Sequence, residues 1–88
     1  MHRFKDLEIW KRSRLFCSEI YSTTSNFPDS EKFGLTNQLR RSSVSIPSNI
    51  AEGSCYEIET QLLIAFDLKF ISFEELNLLS KELEEIVK

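Results

Sequence analysis

Apolar residues recur every three or four positions in four blocks, separated by polar or turn-forming residues, and this rhythm predicts four helices. The first block runs from about Lys5 to Ser25 without glycine or proline. Leu7, Trp10, Cys17 and Tyr21 form one stripe on it, and Ile9, Phe16 and Ile20 form an adjoining one. Two adjoining stripes make a wide apolar arc, so this helix is expected to pack against two others, or against another subunit as well as its own core. Asn26, Phe27, Pro28 and Asp29 should end it, since the residue before a proline resists helical geometry.

The second block, FGLTNQLRRSSVSIPSNIAEG from Phe33 to Gly53, is the most unusual stretch. The expected helix starts near Pro28 to Glu31, with proline in its first turn and acids at the positive end of its dipole, and runs to about Glu52, with Gly53 as its stop. Leu35, Leu39, Ile46 and Ile50 share one face, while Arg41, Val44 and Ser48 lie roughly opposite. Pro47 interrupts the pattern and donates no backbone hydrogen bond, so a kink is expected there. Val44, Ser45 and Ser48 offer a small-residue surface for a subunit contact.

A third helix is expected from about Cys55 to Phe70, with Tyr56 or Ile58, Leu62, Ala65, Phe66 and Leu68 feeding the core. Ser72-Phe73-Glu74-Glu75 then reads as a capping box. In the fourth helix Leu76, Leu79, Leu83 and Ile86 alternate steps of three and four, a narrow seam of coiled-coil type, with an acidic, solvated opposite face.

With 88 residues, 41% of them hydrophobic, and two glycines and two prolines, the chain suits one small all-α domain over residues 1–88, with too little turn-forming material for a sandwich or barrel. Domains of this size bury about 60 to 65% of their unfolded surface, which favours oligomerisation. Cys17 and Cys55 make no Cys-x-x-Cys pair and the single histidine is His2, so no zinc site can be drawn. The opening MHRFKDLEIW lacks the apolar core of a signal peptide, and no apolar run approaches the ~18 residues of a membrane span. The expectation is a cytoplasmic protein with reduced thiols and no membrane contact.

The net charge of −3 hides an asymmetry: residues 1–44 hold eight Lys/Arg against five Asp/Glu, giving +3, and residues 45–88 hold three against nine, giving −6. Adjacent carboxylates such as Glu57 and Glu59 have no histidine to work with. The serines at 42, 43, 45 and 48 sit in neither a nucleophile elbow nor a phosphate-cradling loop. No enzyme, cofactor or small-molecule substrate is therefore expected. What remains is a set of cations beside hydroxyls and amides: Lys11, Arg12 and Arg14 on the first helix, Arg40 and Arg41 on the second. Such groups suit phosphate contacts, although ion pairs to acids of neighbouring helices are the plainer alternative.

Phe4, Asp6, Leu7 and Trp10 at the start, FGLTNQLRRSSVSIPSNIAEG in the centre and YEIETQLLIA from Tyr56 to Ala65 together resemble the four-helix bundle proteins encoded in intervening sequences of bacterial 23S ribosomal RNA genes. The resemblance implies an antiparallel up-down-up-down bundle that assembles into a ring, a pentamer. It also implies kinship with the accessory variability determinant of diversity-generating retroelements, a basic barrel associated with reverse transcriptase and nucleic acid. It carries over Arg40 and Arg41 as contact residues, whereas Lys11, Arg12 and Arg14 rest on the charge pattern. Gly53-Ser54-Cys55-Tyr56 directly joins two motifs that the family separates, so a shortened third helix is expected. The leading expectation is a non-enzymatic oligomer that binds RNA or a reverse-transcriptase-like partner. The alternative is a protein-interaction scaffold that ignores nucleic acid.

Overall fold

The computed structural model describes the backbone of residues 4–48 and 52–87, with side chains over 7–46 and 54–87. Four helices follow one another: α1 (Phe4–Thr24), α2 (Leu35–Ser48), α3 (Glu52–Asp67) and α4 (Phe73–Val87), with a 3-10 turn at Asp29–Glu31 ahead of α2. Each helix packs on its chain neighbour, and α1 also packs on α4. No strand occurs among the described residues.

The narrower stripe of α1 enters the core. Phe16 and Ile20 are fully buried against Leu39 and Ile46 of α2, Ile58, Leu62 and Ala65 of α3 and the Leu76, Leu79, Leu83, Ile86 seam of α4, with Ile9 half-buried at the margin. Each such side chain contributes about 1.5–3 kcal/mol on burial. The other stripe stays at the surface: Leu7, Trp10 and Tyr21 are exposed and Cys17 is half-buried. Of the alternatives Tyr56 and Ile58 in α3, Ile58 is the one that enters the core, with Cys55 also inward and Tyr56 about 160° round the helix from Ile58. Leu68 is exposed, contrary to the expectation that it feeds the core, because α3 ends at Asp67 and Leu68 lies in the turn beyond it.

The helix ends differ from the sequence reading in two places. Leu35, rather than Pro28 to Glu31, opens α2, because residues 29–31 close a separate 3-10 turn in which Glu31 N–H bonds Pro28 O at 2.9 Å. Glu31 then serves α2 from outside: its Oε1 accepts the otherwise orphan N–H of Leu35 at 3.0 Å. A Cβ at Gly34 would stand 2.9 Å from that same oxygen, so glycine leaves room for the cap. At the other end α2 is described as far as Ser48, with Pro47 near that limit, and the expected approach to Glu52 crosses residues 49–51, which lie outside the described residues; Gly53, expected as a stop, lies within the described span of α3. Pro47 has no N–H to bond the carbonyl four residues back. The expected core position Ile50 lies outside the described residues.

The capping box is present: Glu75 N–H bonds Ser72 Oγ at 3.0 Å and Ser72 N–H bonds Glu75 Oε1 at 2.9 Å. At the end of α3, Phe70 N–H reaches Ala65 O at 2.8 Å and Lys69 N–H reaches Phe66 O at 2.9 Å, with Lys69 at φ 65°. This is a Schellman closure with lysine where glycine is usual. It sets Phe70 against Phe27, ring centroids 5.3 Å apart, which ties the loop after α1 to the loop after α3.

Candidate functional site

The five cations singled out in the sequence lie on different sides of the bundle. Along α1, Lys11 falls about 60° from Arg14, whereas Arg12 falls about 160° away. Arg14 lines an open groove of about 490 Å³ between α1 and α2 with Cys17, Ser18, Tyr21 and Val44. Arg12 lines a separate groove of about 350 Å³ between α1 and α4, and its Nε stands 4.0 Å from Glu8. Arg41 lines a third groove of about 530 Å³ between α2 and α3, among Gln38, Ser42, Ser45, Ser54 and Glu57.

Arg40 is held by its own chain. Its Nε donates to Thr24 Oγ1 at 2.8 Å and its Nη2 to Tyr21 O at 3.3 Å, so it adds a charged donor to a carbonyl in the last turn of α1 that also accepts Ser25 N–H at 3.1 Å. Its guanidinium lies 4.7 Å from the centroid of the Tyr21 ring. Thr24 Oγ1 in turn donates to Ile20 O at 2.7 Å. The arrangement follows from α2 passing the end of α1. Moving along α2 from Arg40 to Ser43, the α1 neighbour moves back from Thr24 to Cys17, whose Sγ lies 3.5 Å from Ser43 Oγ. A second ring and guanidinium pair lies nearer the start of α1, where Arg14 is 5.0 Å from the Trp10 centroid.

Arg14 and Arg40 thus lie over Trp10 and Tyr21 on the outward side of α1 and α2, with Lys11 about 60° round α1 from Arg14. Of the described acids of α1, Glu8 and Glu19 fall more than about 100° from Arg14, although Glu8 is only about 60° from Lys11; the side chain of Asp6 lies outside the described residues. From Leu35 to Ser48, α2 contains no Asp or Glu at all. Among the described side chains no carboxylate therefore lies between the two guanidinium and ring pairs. Sequence reading marks the cations but assigns Trp10 and Tyr21 to the apolar arc. The helical step from Trp10 to Arg14 is a local signal for the first pair, and nothing local signals the pair of Tyr21 with Arg40.

The small-residue surface divides as well. Val44 belongs to the α1/α2 groove. Ser45 faces α3, its Oγ 2.7 Å from both the Ser42 carbonyl and Ser54 Oγ, while Ser42 Oγ donates to Glu57 Oε2 at 3.1 Å. The side chain of Ser48 lies outside the described residues.

In the α1/α4 groove the polarity is reversed. Glu82 is pushed up to about 7 by burial, by a hydrogen bond with Glu19 and by the Glu19 charge. The causes all favour the protonated form of Glu82, which can donate to the Glu19 carboxylate. No group of three or more His, Cys, Asp or Glu among the described residues is placed to hold a metal, and no described helix is long and apolar enough to cross a membrane. Cys17 and Cys55 are not joined in a disulfide.

Among curated proteins none matches this chain. The family model described as 23S rRNA-intervening sequence protein matches residues 5–54, which take in α1 from its second residue, all of the described α2, and Lys11, Arg12, Arg14, Arg40 and Arg41. That match spans more than half of the 88 residues, and the chain belongs to the 23S rRNA-intervening sequence protein family.

Proposed function

We propose that this protein is a non-enzymatic, cytoplasmic, oligomeric bundle of antiparallel up-down-up-down helices with a shortened third helix, and that it binds RNA through the outward face of α1 and α2. The observation that carries this reading is the combination of Arg14 and Arg40 with two exposed rings, with no described carboxylate between the two pairs and Lys11 nearby on α1. Cations in such a setting neutralise phosphates and release counterions instead of pairing with acids of their own chain. Arg12 and Arg41 flank the face from the neighbouring grooves and add to the field without sharing one surface. A ring of copies, a pentamer on the family resemblance, repeats the face and raises its avidity for one polymer.

Electrophoretic or anisotropy titration of a structured RNA, repeated from low to physiological salt, tests the reading. Affinity should fall steeply with salt, and a flat response or no binding by the assembled oligomer overturns it. Sedimentation of the same sample gives the number of copies. A second reading, a protein-interaction scaffold, is favoured by the outward side of α3, where Tyr56, Leu63 and Ile64 are exposed, with Leu68 exposed just beyond its end. It requires capture of a protein partner by a chain that ignores RNA.

A further inference from the structure

We propose that the strand recognised at the α1/α2 face is single-stranded, with bases stacked on the Trp10–Arg14 and Tyr21–Arg40 pairs; this rests on the RNA-binding reading above. Trp10 and Tyr21 are 37% and 43% exposed, so both rings remain reachable although each is covered in part by a guanidinium. A guanidinium over a ring is itself a flat, permanently charged surface, on which a base can stack while the donors meet phosphate. Arg40 is the more fixed of the two, since Nε and Nη2 are engaged by Thr24 and Tyr21.

The spacing suits a short stretch of strand. Trp10 and Tyr21 are separated along α1 by about 16 Å at 1.5 Å per residue, room for about five bases stacked at 3.4 Å. A duplex keeps its base faces inside and would offer this convex surface phosphates alone, so stacking separates the two forms. Groups that read base edges are not needed: every base has a π-face, and the expected sequence preference is weak. A second copy of the chain could also cover Leu7, Trp10 and Val44, but rings overlaid by the guanidinium groups of Arg14 and Arg40 are better matched by a polyanion than by another apolar helix.

Trp10 is the chain's single tryptophan, so its emission reports this face alone. The test titrates the oligomer with a ten-nucleotide single-stranded RNA and with the blunt duplex of the same sequence. The single strand should quench Trp10 and bind at least about tenfold more tightly than the duplex. Trp10→Leu should weaken single-strand binding about 5- to 150-fold, the equivalent of about 1–3 kcal/mol per stacked base, and leave duplex binding and the helical circular dichroism unchanged. Trp10→Phe should restore most of the loss. Equal affinity for both forms without quenching overturns the inference and leaves RNA binding standing, whereas no binding of either removes both. Emission that shifts with protein concentration alone, and that RNA does not alter, assigns the face to a second copy and also overturns it.

Discussion

Helix α1 meets α2 and α4 across two seams of opposite character. Toward α2, polar groups are complementary: Arg40 bonds the last turn of α1 and lies over Tyr21, and Cys17 meets Ser43. Toward α4, like groups are opposed, with Glu82 against Glu19 in a groove rimmed by the exposed Leu15 and Leu78. Both seams share the Phe16 and Ile20 core. The contrast teaches that apolar burial positions α1, while polar chemistry decides which seam is firm and which responds to conditions.

The largest effect expected tests what the seams share. Ile20→Ala should cost about 2–5 kcal/mol, because truncating a fully buried side chain leaves a cavity, and denaturant unfolding should show a lowered midpoint. Breaking the α2 seam alone comes next. Arg40→Ala removes hydrogen bonds from a charged donor together with its stacking on Tyr21 and should cost about 1.5–3 kcal/mol, while Arg41→Ala, exposed one position on, should stay within about 0.5 kcal/mol. Equal costs for the two arginines would erase the distinction between an internal tie and a surface cation. At the end of α3, Lys69→Gly should stabilise the fold by about 1 kcal/mol by relieving the positive φ, measurable as a raised melting temperature.

The α4 seam is tested by pH, with a smaller effect. The pKa of Glu82 in the folded chain is about 7 against 4.5 for an ordinary glutamate, so the folded state holds the proton more tightly. Its contribution is fully present below about pH 4.5 and is lost as pH rises through about 7. The thermal midpoint should fall from pH 5 to pH 8, and Glu82→Gln should flatten that part of the profile. Arg12, Lys81 and Glu85 line the same groove, and Glu75 lines the adjoining one with Glu19.

Much of the fold is legible in the residues themselves. The α4 seam and the Ser72 to Glu75 box need only spacing, because both are local to one helix. The start of α2 is not legible in this way, since Pro28 and Asp29 suit a 3-10 turn as well as a helix start, and the cap that decides comes from Glu31. Gly53 reads as a stop in the sequence, yet it lies within the described span of α3. The cations of the site are legible as residue types. Their division among three grooves depends on which helix lies beside which, and so does the tie between Arg40 and the end of α1. Two adjoining stripes on α1 do not by themselves say which is covered; the observed answer leaves Trp10 and Tyr21 outside.

The most direct test compares salt slopes for RNA binding by two double variants. Lys11→Gln with Arg14→Gln should lower the slope of log K against log salt by about 1.4, near 0.7 for each phosphate of a single strand that is no longer neutralised. Arg12→Gln with Arg41→Gln, which alters the neighbouring grooves, should change it by less than half as much. Equal changes in the two pairs, or a slope unaltered by the first, would contradict the assignment of binding to the outward face of α1 and α2.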